Sequence, residues 1–296
     1  MTQTMRNDSP ELTWAQQQKA THKKVQDYTM MDDIFMSTVL SDRAACQYVL
    51  RIILQEPELI VREVTSQKTM SQLYGKSPRL DVIAETPDGR IINIEIQQEP
   101  EEHYGKRLRF YAGTMVAHLL LRGVDYKQLP DQVMIYIGDT DIWKQERTIY
   151  EFQMTEIHAG FQIGDGLREI FVNTAVDDGS PIAKLMQYFT TADPYDMTHG
   201  DLSKQINFYK VEQEGLRIMK SLSQQIFEEG HSTGHAKGRA EGNAEGRIKG
   251  QASSVYALMQ HQNCDLATAM DILNIHGNDR KEVQKLLESS FLTSAK

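Results

Sequence analysis

Apolar and polar positions alternate most strictly over residues 92–97, where Ile92, Ile94 and Ile96 share one face of a strand and Asn93, Glu95 and Gln97 share the other. A short apolar run over 80–85 precedes it. Between the two runs, Pro87 presets the φ of a type I turn and Gly89 can take the left-handed position after it. Residues 79–98 are therefore predicted to form one β-hairpin with a three-residue loop and a glycine bulge. In that register Thr86 faces Arg90. Counting back along both strands brings Asp81 opposite Glu95, with their Cβ atoms roughly 4.5–5.5 Å apart.

Helical and extended patterns alternate on either side of the hairpin. Ile34, Phe35, Val39, Leu40, Tyr48, Val49, Ile52 and Ile53 give residues 32–54 apolar helical faces, with a break at Ser41-Asp42 where Ser41 is placed to cap a second helix. Residues 60–65 suggest a short strand, 67–77 a loop or irregular strand, and 99–105 a charged connector. A helix is expected over 106–122, with Leu108, Tyr111, Ala112, Met115, Leu119 and Leu120 turned inward. Strands are expected over 132–137, 150–154 and 167–173. The order helix, strand, hairpin, helix, strand predicts an α/β domain, a mixed β-sheet flanked by helices.

From residue 180 the pattern is helical. Ile182, Leu185, Met186 and Phe189 form one stripe, and 202–225 another. Gly230, Gly234, Gly238, Gly242, Gly246 and Gly250 then recur every fourth residue, forming a slowly drifting stripe if the segment is helical. Two readings stay open: close contact with a partner helix, such as its twin in a homodimer, or a flexible linker with some helix. Each interior glycine costs about 1 kcal/mol against alanine, which favours the linker. Two helical runs over 253–290 make a small tail, and its final run has too few basic residues for a convincing helix-turn-helix. The predicted organisation is a polar tail over 1–24, a core over 25–178, a helical extension over 179–229, the glycine-repeat segment over 230–250 and a small helical tail over 251–296.

Composition narrows the function classes. With 296 residues and a formal net charge of −9, the chain is too acidic for a constitutive nucleic-acid coat protein. No apolar stretch approaches the ~20 residues that span a bilayer, and the N-terminus lacks the apolar run of a signal peptide. Cys46 and Cys264 lie far apart without metal-ligand spacing, which points to a reducing cytoplasm. There is no glycine-rich phosphate loop after a strand, no serine elbow and no zinc spacing, so an ATPase, serine hydrolase or zinc enzyme has no residue support.

The hairpin is where chemistry enters. Two carboxylates facing each other repel, and one keeps its proton unless a cation intervenes. Oxygen ligands converging on one point suit Mg²⁺ or Mn²⁺. The plainer alternative pairs Asp81 with Arg79 or Arg109 and leaves Glu95 on a solvated face. Further on, Arg107 and Tyr111 lie four residues apart, one above the other on a helix.

Asp81, the string Glu95-Ile96-Gln97 and the string Lys106-Arg107-Leu108-Arg109-Phe110-Tyr111 together resemble the PD-(D/E)XK nuclease superfamily. More narrowly, they resemble its nuclease family transposases, relatives of the recombination-promoting nucleases. The likeness starts at Met31-Asp32-Asp33-Ile34-Phe35-Met36 and reaches Asp193-Pro194-Tyr195-Asp196-Met197. It implies a restriction-endonuclease-like core followed by the α-helical C-terminal extension. It also implies that Asp81 and Glu95 hold Mg²⁺, or Mn²⁺ in its place, with help from the backbone carbonyl of Ile96, and that Asp32 on the first helix reaches the metal. Gln97 takes the catalytic position usually held by lysine; Arg107 and Tyr111, with Arg109, face DNA phosphate. Met36 likewise stands where the entry motif has lysine.

The implied function is a metal-dependent DNA endonuclease tied to mobile elements and recombination. A DNA- or protein-binding module that keeps the fold without turnover is the alternative favoured by Gln97, Met36 and the acidic balance. An oligomeric scaffold working through its glycine-rich tail is a third.

Overall fold

The computed structural model describes residues 25–70, 79–97, 103–119 and 125–294. The first helices are α1 (Asp33–Val39) and α2 (Arg43–Ile53). The break between them falls where the sequence placed it, but the cap is Asp42. Its carboxylate accepts from the Ala45 N–H at 2.9 Å, whereas Ser41 Oγ donates back to the Thr38 carbonyl at 2.6 Å. Capping needs an acceptor within reach of the third helical N–H, and Asp42 has it.

Six strands follow with one helix among them: β1 (Glu63–Thr69), β2 (Arg79–Glu85), β3 (Ile91–Gln97), α3 (Tyr104–Leu119), β4 (Gln132–Gly138), β5 (Ile149–Phe152) and β6 (Leu167–Asn173). β1 begins three residues later than the apolar run suggested, and Ile60 is exposed. The sheet order is β1-β2-β3-β4-β6-β5. β1, β2 and β3 form an antiparallel meander; β3, β4 and β6 run parallel; β5 closes the far edge antiparallel to β6. The parallel β3 and β4 need a crossover, and α3 supplies it. This is the mixed sheet flanked by helices that the pattern of elements predicted, and it is consistent with the restriction-endonuclease-like α/β fold that the resemblance implied.

Both faces of the sheet are covered. Ile92, Ile94 and Ile96 enter a core with Val133, Ile135, Ile137, Ile170 and Val172, beneath Phe35 of α1 and Val49 of α2. On the other face Leu108, Tyr111, Ala112 and Met115 of α3 pack with Met134, Tyr136 and Phe171. Leu119, expected to point inward, is 41% exposed at the end of α3. Leu120 lies outside the described residues.

The helices α4 (Pro181–Thr191) and α5 (Gly200–Lys210) and the start of α6 (Gln213–Gln262) share the first core through Ile182, Phe189, Leu202, Ile206 and Met219. The chain divides into two compact units at 222/223, so helices expected as an extension are built into the unit that carries the sheet. Gly215 is required where α6 starts, because a Cβ there would collide with the Phe208 carbonyl oxygen.

The second unit comprises residues from 223 onward. There the last part of α6 meets α7 (Leu266–Ile272) and α8 (Gly277–Ser294) around Ile248, Val255, Met270, Val283 and Leu287. The glycine-repeat segment is helical throughout, within α6. At Gly238, Gly242, Gly246 and Gly250 a Cβ would meet open space, so no close packing within this chain demands these glycines. Among the described residues no helix is long and apolar enough to cross a membrane.

Candidate functional site

The hairpin turn sets the site. Gly89 adopts φ +87°, its N–H bonds to the Thr86 carbonyl at 3.0 Å, and the Thr86 N–H bonds to the Arg90 carbonyl at 3.0 Å. The ladder then runs through Ile83↔Asn93 to Val82↔Ile94, which places Asp81 opposite Glu95 as the turn residues predicted.

The two carboxylates are interlocked through the backbone. Asp81 Oδ2 accepts from the Ile96 N–H at 3.0 Å, while Glu95 Oε1 accepts from the Asp81 N–H at 3.3 Å and from Asn93 Nδ2 at 2.9 Å. Glu95 is only 1% exposed, and its second oxygen, Oε2, is buried without a hydrogen-bond partner. The Arg107 guanidinium stands 3.8 Å from that oxygen. Burial pushes both carboxyls above their ordinary range, and the neighbouring Asp81 charge pushes Glu95 further. The solvated Glu95 of the plainer reading is therefore not what forms.

Arg107 gathers the other residues that the sequence singled out. Its Nη1 donates to Gln97 Oε1 and its Nε to the Tyr111 hydroxyl, both at 2.9 Å, with the guanidinium 5.3 Å from the Tyr111 ring centroid. Spacing of four on α3 makes the Arg107–Tyr111 contact, and the register of β3 brings Gln97 to it. Burial raises the Tyr111 pKa, and the Glu95 charge adds to this, so the hydroxyl keeps its proton.

Asp32 and Arg109 are directed elsewhere. Asp32 accepts from the Thr29 N–H at 2.8 Å and the Thr29 hydroxyl at 3.1 Å, and its charge acts on the buried Lys210. It is the next residue, Asp33, whose charge bears on Asp81. Arg109 is exposed and its charge acts on Glu169 of β6.

Two residues that sequence reasoning passed over belong here. Asp33, exposed at the start of α1, was hidden in the pair Asp32-Asp33; its charge is the one that bears on Asp81. Gln67 lies between Ser66↔Val82 and Lys68↔Leu80, hence across from Asp81, in a left-handed conformation at φ +52°. It donates to Ser37 Oγ at 2.9 Å and accepts from Arg79, which the plainer reading had paired with Asp81.

Among the described residues no group of three or more His, Cys, Asp or Glu converges as a metal cage. Two carboxylates with a buried oxygen that no hydrogen bond reaches, beside a strand carbonyl, fit a hard divalent ion that keeps several waters. They do not fit zinc or a softer metal.

Residues 41–177 match the model of the PD-(D/E)XK nuclease family transposase. That segment belongs to the family. The match takes in α2, the whole sheet with Asp81 and Glu95, and α3 with Arg107 and Tyr111; it is narrower than the likeness from Met31 to Met197 seen in the sequence. The family makes the domain nuclease-like and transposase-associated, with DNA as the implied substrate, and PD-(D/E)XK nucleases generally use divalent metals. No curated protein and no solved structure matches the chain.

Proposed function

We propose that the protein is a cytoplasmic metal-dependent DNA endonuclease that hydrolyses phosphodiester bonds and serves mobile-element recombination. The observation that carries this reading is the buried Glu95 Oε2 beside Asp81, which no hydrogen bond reaches. An apolar packing site would not retain two facing carboxylates, whose mutual repulsion a cation relieves. Asp81, Glu95 and the Ile96 carbonyl would hold Mg²⁺, which Mn²⁺ can replace. When bound, such an ion lowers the pKa of a water and offsets charge on the scissile phosphate.

The surrounding residues position rather than react. Arg107 takes Gln97 Oε1, which leaves the amide NH₂ of Gln97 as the group that can donate to a water or a phosphate oxygen. Where lysine would place a full charge on β3, Gln97 brings only a dipole, and Arg107 brings the charge from α3. Tyr111 orients Arg107 by accepting from its Nε.

Nicking of supercoiled plasmid, with Mg²⁺, Mn²⁺ or EDTA, tests the reading against Asp81→Asn and Glu95→Gln. Cutting that needs the metal and is lost in both variants supports it. A folded wild type that binds DNA and never cuts overturns it in favour of the binding module. One contact favours that second reading: Arg107 already stands 3.8 Å from Glu95, where its charge partly replaces a cation.

A further inference from the structure

The row of side chains that carries the carboxylates continues across the sheet as aromatic rings. The ladder pairs Glu95 with Tyr136, Tyr136 with Phe171, and Phe171 with Tyr150. Paired residues point to the same side of a sheet. The row that begins at Asp81 on β2 therefore ends at Tyr150 on the edge strand β5.

Trp143, from the loop after β4, lies over the outer end of that row. Its ring centroid is 4.9 Å from those of Tyr150 and Phe171 and 4.8 Å from that of Phe152. Tyr104, in the first turn of α3, meets Trp143 edge-on at 5.6 Å. Tyr104 and Arg107 are three residues apart on one side of that helix, and Arg107 touches the carboxylate site. A single helical turn thus joins the rings to the acidic pair.

A purely structural aromatic cluster would be closed over. Here Tyr136 and Phe171 are buried, but Tyr104 and Trp143 are half-exposed and Phe152 is 40% exposed. Lys144 and Arg147 are exposed on the loop that carries Trp143, with Glu146 exposed between them. Of the acids nearby, Asp141 accepts from the Tyr150 hydroxyl at 2.6 Å, Glu151 accepts from Arg168 at 2.8 Å and Asp139 accepts from the Thr140 hydroxyl, while Glu169, the cross-strand partner of Phe152, is half-buried under the charge of Arg109.

We propose that Tyr104, Trp143 and Phe152 form a stacking platform for unpaired bases, so that the substrate class of the site is DNA with a single-stranded stretch beside the cleaved phosphate. This rests on the nuclease reading. Every base offers a π-face, so a platform of exposed rings binds single strands with little sequence preference. Duplex bases are already stacked on one another and gain nothing from it.

The test is done in EDTA, which separates binding from cleavage. Trp14→Phe leaves Trp143 as the sole tryptophan. Its fluorescence is followed while single-stranded oligothymidylate, or a duplex of equal length, is titrated in. The single strand should quench Trp143 and bind more tightly than the duplex. Phe152→Ala, with its fold checked by circular dichroism, should weaken single-strand binding roughly tenfold and leave duplex binding unchanged. Equal affinity for both forms without quenching overturns the proposal. So does a Phe152→Ala variant that loses self-association in sedimentation while its DNA affinity is unchanged, because the patch then serves a second copy of the chain. Plasmid nicking with Mg²⁺ is scored separately. Single-strand preference without cleavage refutes the nuclease reading and keeps the platform; cleavage without that preference does the reverse.

Discussion

Glu95→Gln changes little in shape and removes one of two charges that face each other in a desolvated site. The glutamine keeps Oε1 as the acceptor for Asn93 and for the Asp81 N–H. Its NH₂ replaces the oxygen that no hydrogen bond reaches and can donate to Asp81. The wild-type Glu95 pKa is raised by burial first and by Asp81 second. The folded protein therefore holds a proton at pH values where the unfolded chain has released it, and stability falls as pH rises from the unfolded pKa towards the folded one. That slope is about 1.4 kcal/mol per pH unit. Between pH 5 and 7 the metal-free wild type should lose about 2–3 kcal/mol through Glu95. For a unit of this size that is a fall of roughly 5–10 °C in Tm. The assay is thermal unfolding in EDTA at both pH values, repeated with Mg²⁺. The variant should lose most of the pH slope, and Mg²⁺ should raise Tm in the wild type only. Parallel slopes in the two proteins would refute the argument that Glu95 is a strained, buried acid.

Four further outcomes are expected. Asp33→Asn removes a charge that raises the Asp81 pKa, so it should change the Mg²⁺ dependence of cleavage. Asp32→Ala should instead cost about 1 kcal/mol of stability by losing the Thr29 bonds, with cleavage unaltered; plasmid nicking and thermal melts together check the pair. Gly215→Ala drives a methyl into the Phe208 backbone and should destabilise by about 1–3 kcal/mol despite alanine's better helix propensity, measured by denaturant unfolding. A chain ending at Leu222 retains the whole first core, so it should unfold cooperatively and keep whatever cleavage the full chain has.

Much of the candidate site could be read from short-range rules. Pro87 and Gly89 set the turn, the turn set the register, and the register put Asp81 against Glu95. A spacing of four brought Arg107 to Tyr111. The errors lie where the partner is remote or helix phase matters. Asp32 and Asp33 are neighbours in the sequence; in the fold Asp32 bonds to Thr29, and the charge of Asp33 bears on Asp81. Leu119 follows the inward stripe of α3 but lies at its end and stays 41% exposed.

The sequence by itself therefore determined the elements, the hairpin and the acidic pair, because φ preferences, alternation and turn hydrogen bonds act within a few residues. Tertiary structure alone decided that α4, α5 and the start of α6 complete the core. It also placed Gln67 across from Asp81, tied Gln97 to Arg107, and aligned Glu95 with Tyr136, Phe171 and Tyr150. The parallel pairings of β3, β4 and β6 join residues more than thirty positions apart. No local turn fixes their register; burial of two apolar faces at once does.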